Sequence, residues 1–259
     1  MARDYHAELQ HNIRWQLKHM FTFEQNVTAS GFISQQSTGF VSCHPEVSVC
    51  LVGFDKSYYS DELFPLMSPP FPDILKSAVV KRRAEYLAGR YAARQLLQEV
   101  GCNGVVATGS DRAPIWPTGW LGSISHTETW AIAILTPHHF SVGLGVDIET
   151  FCPEKMREIA TAFTTPDERG VLAASRLPFE TALLIVFSAK ESLFKALYPL
   201  VQQIFGFEAA KLCELDAHNN RFTMELTRQL APNLRAGYRT TGHYLIGQDG
   251  VTTIIFPPL

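Results

Sequence analysis

The stretch FSAKESLFKA, residues 187–196, combines apolar residues at helical spacing with charged side chains that share one face. The apolar positions of this stretch and its neighbours are Leu183, Leu184, Phe187, Leu193, Phe194 and Leu197. Ala, Lys and Glu fill the positions between them, and the pattern predicts a half-buried helix. Glu191 and Lys195 are four residues apart, so this helix places an acidic and a basic group side by side.

A second stretch, GVDIE at residues 145–149, alternates acidic and apolar residues. A period of two predicts a strand with Asp147 and Glu149 on one side and the apolar residues toward the core. Together with Glu191, these carboxylates supply the oxygen ligands that Mg²⁺ prefers, and a neighbouring lysine would neutralise phosphate charge. Each pair alone is more often a solvated strand edge or a surface ion pair. Because both lie in apolar surroundings, together they favour a functional site.

The two stretches together resemble the paired signature of 4′-phosphopantetheinyl transferases, which move the phosphopantetheine arm of coenzyme A onto a serine of a carrier protein. The similarity covers about residues 75–210. It implies an α/β (α+β) fold of two similar subdomains related by a pseudo-twofold. Coenzyme A and Mg²⁺ would lie in the cleft between the subdomains.

The resemblance also implies roles for single residues. Asp147, Glu149 and Glu191 would hold Mg²⁺ on the pyrophosphate of coenzyme A, and Mn²⁺ would substitute for Mg²⁺. Lys190 and Lys195 would contact the pyrophosphate oxygens. Glu191, directly or through a metal-bound water, is the candidate base for the carrier serine. Adenosine 3′,5′-bisphosphate would be the leaving group.

A basic stripe lies on a predicted helix from about residue 74 to residue 100. Arg83, Arg90 and Arg94 are seven and four residues apart, so they share one face. On most helices such a stripe is a solvated surface. However, the letters KRRAEYLAGRYAAR of this helix resemble the helix by which siderophore-type members of the family hold the adenosine 3′-phosphate of coenzyme A. This implies the same role for Arg82, Arg83 and Arg90, and leaves the role of Arg94 open.

The loop DRAPIWP precedes a predicted strand that ends in GSISH. Ser125 and His126 are adjacent and point to opposite faces of a strand, which excludes a serine nucleophile paired with a histidine base. The resemblance implies instead that His126 contacts a coenzyme A phosphate and that Ser125 helps by hydrogen bonding. Many relatives carry a basic residue where this chain has Ala113. Whether Arg112 takes over that contact, or the contact is missing, stays open.

Composition and charge exclude several classes of protein. The hydrophobic fraction of 46% and the charged fraction of 18% are ordinary for a globular enzyme. A net charge of −3 argues against a nucleic-acid-binding protein. The five scattered cysteines lack a C-x-x-C pair, and no apolar run reaches the length of a membrane span. We therefore expect a soluble cytoplasmic protein.

Three segments are expected along the chain: an N-terminal extension 1–45, a subdomain 46–140 for the adenosine and phosphates of coenzyme A, and a subdomain 141–259 for the metal and the carrier protein. Leu9, Ile13 and Leu17 suggest a short helix in the extension. The β-branched stretch 47–54 predicts the first strand.

The expected partner is a carrier protein: an aryl or peptidyl carrier domain of a nonribosomal peptide synthetase for siderophore synthesis or, as the weaker candidate, the acyl carrier protein of fatty-acid synthesis. Such carriers are usually acidic, and this chain is also slightly acidic, so long-range attraction cannot recruit them. We expect a monomeric enzyme that docks the carrier on an apolar surface formed by Leu197, Tyr198, Leu200, Ile204, Phe205 and Phe207. These residues suit a core equally well. The alternative functions are a non-catalytic coenzyme A-binding scaffold and a Mg²⁺-dependent phosphohydrolase.

Overall fold

The computed structural model describes residues 20–67, 71–141 and 143–257. The predicted short helix around Leu9, Ile13 and Leu17 lies outside these residues. The described chain forms two compact units. The N-terminal unit comprises residues 21–140, and the C-terminal unit comprises Met20 and the described residues from Ser141 onward.

The N-terminal unit is built on a five-stranded antiparallel sheet in the order β1-β2-β3-β7-β6. A short ribbon, β4 with β5, stands beside it. The strands are β1 (Phe21–Thr28), β2 (Ile33–Val41), β3 (His44–Phe54), β4 (Ala107–Thr108), β5 (Pro114–Ile115), β6 (Trp120–His126) and β7 (Trp130–Pro137). The first strand is therefore not at 47–54, and residues 21–45 belong to the sheet rather than to an extension. Gln, Ser and Thr dominate β1 and β2, and bulges interrupt their pairing, so the alternation that marks a strand is weak there.

One long helix packs on this sheet. A short helix α1 (Phe64–Met67) precedes α2 (Val80–Glu99), which buries Leu87, Leu96 and Leu97 against the strands. The helix begins six residues later than predicted, because Asp73–Leu75 is a separate 3-10 turn and Val79 has an extended backbone. At Gly89 the helix approaches β6 so closely that an added Cβ would lie 2.8 Å from the Ile124 side chain.

The C-terminal unit has a second five-stranded antiparallel sheet in the order β8-β12-β11-β10-β9. Its elements are β8 (Gly145–Thr150), α3 (Pro153–Phe163), α4 (Pro166–Ala174), α5 (Phe179–Val201), β9 (Ala210–Asp216), β10 (Arg221–Leu226), β11 (Arg239–Ile246) and β12 (Gly250–Ile255). The predicted half-buried helix is α5, and the predicted acidic strand is β8. The α/β (α+β) class is confirmed. The pseudo-twofold between the units stays a prediction.

Helix α5 and strand β8 touch through their backbones. A Cβ on Gly145 would overlap the carbonyl oxygen of Ser192, and a Cβ on Gly143 would overlap that of Ala196. Glycine is therefore required at both positions for this approach. Among the residues that the structure describes, no helix is long and apolar enough to cross a membrane.

Candidate functional site

An acidic cluster forms where β8 meets α5. We use this name for Asp147, Glu149 and Glu191 together with Lys195. The Lys195 Nζ donates to Asp147 Oδ1 at 2.7 Å and to the carbonyl oxygen of Val146 at 3.1 Å. Asp147 is 3% exposed, while the two glutamates are half-buried. The structure thus brings together the two stretches that the sequence singled out.

The carboxylates of this cluster repel one another. Burial and the negative charge of Asp147 raise the pKa of Glu149 to about 7, while Lys195 acts in the opposite direction. The same causes, in the same order, raise the pKa of Glu191. Three acidic groups share one ion-paired lysine, Lys195, and Lys155 adds only a smaller effect on Glu149. The cluster therefore has a surplus of negative charge in partly desolvated surroundings.

This surplus bears on whether the cluster fits Mg²⁺. Carboxylate oxygens are the ligands that Mg²⁺ prefers, and a cation would relieve the repulsion that raises the pKa of Glu149. Yet over residues 20–67, 71–141 and 143–257, no three Asp, Glu, His or Cys side chains stand close enough together to coordinate a metal. The donor chemistry fits a hard divalent cation, although the carboxylates are not gathered into a coordinating group. The Lys195 ammonium, rather than a cation, lies beside Asp147 in this arrangement.

Three buried hydroxyl groups fasten α5 to β12 beside the acidic cluster. The Oγ atoms of Ser188 and Ser192 lie 2.9 Å and 2.6 Å from Thr253 Oγ1. Ser192 also donates to the Thr253 carbonyl oxygen at 3.1 Å. Thr253 is the register partner of Asp147 across β12 and β8. Sequence reasoning missed these residues, although two serines four apart on an apolar helix face were a usable signal.

Lys190 pairs outside the acidic cluster, and its assignment to the pyrophosphate stays a prediction. Its side chain is 4% exposed and forms an ion pair at 2.8 Å with Glu168, which is 2% exposed. It also donates to the carbonyl oxygens of Phe163 and Phe207. Glu168 in turn accepts from the backbone of Thr165 and Leu212. Lys190 therefore ties α5 to α3, to α4 and to the turn at Phe207, and Glu168 extends these contacts to β9.

In the N-terminal unit, several of the predicted coenzyme A residues line one pocket of about 360 Å³, which we call the basic pocket. Arg82 and Arg90 come from α2, Arg112 from the turn between β4 and β5, and His126 from the end of β6. Tyr86, Thr108 and Pro114 form part of the wall. The structure thus groups four of the eight residues that the resemblance assigned to coenzyme A.

Arg90 is held in place by its surroundings. Its guanidinium donates to Tyr86 Oη, to the carbonyl oxygen of Ala107 and to the hydroxyl of Thr108. It also lies over the Tyr86 ring, 4.8 Å from the ring centre. The arginine is only 6% exposed, so these contacts fix the direction from which it faces the pocket.

Arg83, a further residue that the resemblance assigned to coenzyme A, contacts other groups of its own unit. It donates to Asp61 at 2.8 Å and to the carbonyl oxygens of Lys76 and Ala78, and it lies over the Phe71 ring. It does not line the basic pocket. Its contacts fasten the segment that precedes α2, and its assignment to coenzyme A stays a prediction. Arg94 also lies outside the pocket, where it donates to the Leu66 carbonyl oxygen.

Arg112 and Ser125 differ in whether they face the basic pocket. Arg112 lines the basic pocket and has a left-handed backbone (φ 71°) in a turn closed by hydrogen bonds between Gly109 and Ala113. The structure thus presents Arg112 to the pocket, and whether it takes over a phosphate contact stays open. Ser125 is buried and alternates with His126 along β6, so it lies on the other sheet face and does not line the pocket.

Glu85 is a pocket residue that sequence reasoning missed. Its Oε2 lies 3.7 Å from His126 Nδ1 and 3.8 Å from Arg82 Nη1. Arg82 Nη1 lies 2.7 Å from His126 Nε2. Burial raises the pKa of Glu85, while Lys81 and Arg82 oppose this effect. Its spacing of three from Arg82 on a helix was the signal that could have found it.

Comparison with known proteins assigns both units to one family. Residues 71–136 match the model of the 4′-phosphopantetheinyl transferase N-terminal domain, and residues 143–247 match that of the 4′-phosphopantetheinyl transferase superfamily. The two matched regions contain the basic pocket residues from Arg82 onward and the whole acidic cluster.

Several curated proteins are similar to this chain. Enterobactin synthase component D of Salmonella typhi is 42% identical over 168 residues, which are 64% of this chain and 69% of the relative. The protein of the same name from Escherichia coli K12 is 40% identical over 146 residues, or 56% of this chain and 68% of the relative. The 4′-phosphopantetheinyl transferase Svp of Streptomyces mobaraensis is 33% identical over 202 residues, which are 75% and 80% of the two chains. The predicted family is therefore confirmed, and this chain belongs to the 4′-phosphopantetheinyl transferase superfamily.

Proposed function

We propose that this transferase takes the 4′-phosphopantetheine group from coenzyme A, attaches it to a serine hydroxyl of a carrier protein and releases adenosine 3′,5′-bisphosphate. The observation that carries the proposal is the acidic cluster, with Lys195 bound to Asp147, inside the region that matches the superfamily. Phosphoryl transfer depends mainly on positioning and charge neutralisation, and this cluster has residues suited to both.

The carrier is proposed to be an aryl or peptidyl carrier domain of a nonribosomal peptide synthetase that makes a siderophore. Support comes from the names of the relatives, since those at 39–42% identity in Salmonella are enterobactin synthase component D. The enzyme would act in the cytoplasm as a monomer.

The proposed cofactor is Mg²⁺, with Mn²⁺ as a substitute. Asp147, Glu149 and Glu191 would hold it, since their oxygens are suitable ligands and their mutual repulsion favours a cation. When bound, the metal would neutralise charge on the pyrophosphate of coenzyme A. Ca²⁺, which prefers more ligands at longer distances, should replace it less well.

Within this site, each residue has a separate task. Lys195 would turn from Asp147 to the pyrophosphate oxygens and offset their charge. Glu191 would accept the proton of the carrier serine, because it is a half-buried carboxylate next to the groups that would hold the metal and the phosphate. The serine oxygen then bonds to the phosphorus that bears pantetheine. The bond from that phosphorus to the bridging oxygen breaks, and the bridging oxygen leaves with adenosine bisphosphate.

The basic pocket is proposed to bind the adenosine end of coenzyme A. Arg82, Arg90, Arg112 and His126 would contact phosphate oxygens, because cationic donors bind phosphate strongly in partly buried surroundings. Tyr86 and Pro114 offer flat apolar surface to the base or sugar. Arg83 has no part in this proposal.

The carrier is proposed to dock at Leu200 and Ile204, which follow the acidic cluster along α5 and its C-terminal loop. Ile204 is 86% exposed and Leu200 is 43% exposed. The predicted apolar docking surface also included Leu197 and Phe205. Both are buried, and Phe205 packs on Phe194, so neither is available to a carrier. A substitution at Phe205 would damage the core and is no test of docking.

Mass spectrometry of an apo carrier domain tests the proposal. The carrier is incubated with coenzyme A, MgCl₂ and this enzyme, and its intact mass is measured. A gain equal to one phosphopantetheine group is expected, with none when EDTA replaces MgCl₂. An unmodified carrier with intact coenzyme A would indicate a binding scaffold, whereas an unmodified carrier with hydrolysed coenzyme A would indicate a phosphohydrolase.

A further inference from the structure

Glu85 is an acidic side chain inside a pocket otherwise suited to anions. It is buried, and it lies with Arg82, Arg90, Arg112 and His126 in the basic pocket. A carboxylate there repels phosphate and is itself destabilised by burial. The proposed function assigns it no task, so its position requires another reason.

The contacts around His126 define its protonation state. The Arg82 guanidinium can only donate hydrogen bonds, so the His126 Nε2 atom, 2.7 Å away, must be the acceptor and carries no proton. The ring proton therefore belongs on Nδ1, which faces Glu85 Oε2 at 3.7 Å. This tautomer places an acceptor opposite Arg82 and a donor opposite Glu85, so it suits both neighbours before ligand binding.

We propose that His126 takes up a proton from solvent when phosphate enters the basic pocket, and that Glu85 is the positioning residue that makes this uptake possible. The inference rests on the proposed function, because the phosphate is that of the adenosine end of coenzyme A. Phosphate oxygens attract Arg82 away from Nε2, and Nε2 then binds a proton and donates it in a hydrogen bond to phosphate. Glu85, facing Nδ1, balances the resulting imidazolium charge.

The other charged groups near this ring agree with the assignment. Arg90 and Arg112 line the pocket and disfavour an imidazolium until an anion arrives. At the rim, Glu128 pairs with Lys56 and Lys81. Because Glu128 is already engaged by two lysines, Glu85 is the carboxylate placed to act on His126.

The test is calorimetric titration of the enzyme with adenosine 3′,5′-bisphosphate in EDTA at pH 8, in buffers that differ in ionisation enthalpy. The dependence of the observed heat on buffer gives the number of protons taken up. At this pH the phosphates are already dianionic, because their second pKa is about 6. Uptake of more than about half a proton per ligand is expected, since an unperturbed histidine is neutral at pH 8.

Three variants assign the proton. His126→Asn keeps a donor but cannot titrate, so uptake should fall to about zero while binding persists. Glu85→Gln should reduce uptake at least about twofold, because a neutral amide does not balance the imidazolium. Glu99→Gln is the control, an exposed carboxylate at the far end of α2, and its uptake should equal that of wild type.

The outcomes separate this inference from the proposed function. No binding of adenosine 3′,5′-bisphosphate by the wild type would overturn the proposed coenzyme A site and this inference with it. Binding without proton uptake, or uptake that persists in His126→Asn, would overturn the inference alone. Unchanged uptake in Glu85→Gln would remove Glu85 from it. As a check independent of variant folding, ¹⁵N NMR of wild-type histidines should show His126 neutral when free and doubly protonated when bound.

Discussion

Two charged clusters lie one residue apart on α5, and they differ in how their charges are balanced. Lys190 has a buried carboxylate partner, Glu168, and two backbone acceptors. Glu191 belongs to a group in which three carboxylates share one lysine. The first arrangement neutralises every charge inside the chain, and the second leaves a surplus. We infer that a balanced buried cluster indicates a structural role and an unbalanced, half-buried cluster indicates a ligand site.

The largest expected effect is on the unbalanced cluster. Asp147→Asn should lower the rate of transfer by about a thousandfold, since charge stabilisation by a bound metal contributes several kcal/mol. The melting temperature should change little. Kinetics of carrier modification and thermal unfolding check both statements. Glu158→Gln, an exposed carboxylate on α3, is the control. Near-normal turnover of Asp147→Asn at saturating Mg²⁺ would remove Asp147 from the metal site.

The balanced cluster should show the opposite pattern. Lys190→Met leaves Glu168 charged and buried, which should destabilise the protein by about 3–5 kcal/mol. At reduced temperature, the folded variant should keep its transfer rate within a few-fold. Chemical unfolding measures the first quantity and steady-state kinetics the second. A variant as stable as wild type but without activity would show that Lys190 acts on the pyrophosphate. It would contradict the structural role inferred for the Lys190–Glu168 pair.

The same comparison applies to two arginines of α2. Arg90→Ala should raise the KM for coenzyme A about thirtyfold and lower kcat much less, because a charged hydrogen bond far from the reacting phosphorus mainly contributes binding. Arg83→Ala, in contrast, should lower stability and leave that KM nearly unchanged, since Arg83 is engaged by Asp61 and two carbonyl groups. Equal use of coenzyme A and its 3′-dephospho form by the wild type would contradict the role of Arg90.

A smaller effect is expected at the apolar surface that is proposed to dock the carrier. Ile204→Asp should raise the KM for the carrier about tenfold through the loss of an apolar contact and the repulsion of an acidic carrier. The KM for coenzyme A should not change. Ile115→Asp, an exposed isoleucine of the N-terminal unit, is the control. A wild-type carrier KM that rises steeply with salt, together with an unaffected Ile204→Asp enzyme, would show that basic residues make the docking surface.

The smallest effect is the pH dependence of stability without metal. The pKa of Glu149 is raised from 4.5 to about 7, so the folded protein keeps a proton that the unfolded chain loses. The stability that this carboxyl contributes is present below pH 4.5 and is lost as the pH rises through 7. In EDTA, the melting temperature of wild type should therefore fall a few degrees more between pH 5 and pH 8 than that of Glu149→Gln. Parallel curves would show that Glu149 titrates normally.

The sequence predicted the elements with strong periodicity. Helix α5 and strand β8 were found because their apolar and charged residues follow regular spacings, and the family signature then joined them. Strands β1 and β2 were missed because many of their residues are polar and because bulges interrupt their pairing. The start of α2 was placed too early because the turn at 73–75 has a helix-like composition.

Within the site, spacing alone could not separate residues that share a stretch of sequence. Lys190 and Lys195 are both near Glu191, and only the positions of Glu168 and Asp147, which come from other elements, decide which lysine is buried in an ion pair. In the same way, the contacts of Arg83 depend on Asp61, and the position of Glu85 matters because it faces His126. Long-range contacts of this kind depend on the folded chain and leave no local pattern.

The left-handed backbone of Arg112 has a consequence for directed evolution. A residue other than glycine in this conformation is less favourable by about 1–2 kcal/mol. A library screened only for heat resistance should therefore be enriched in glycine or asparagine at position 112. Such clones would unfold at higher temperature and would have lost a cationic side chain from the basic pocket. Screening for thermal tolerance alone would select weaker enzymes at this position, so the screen has to include turnover at low coenzyme A concentration.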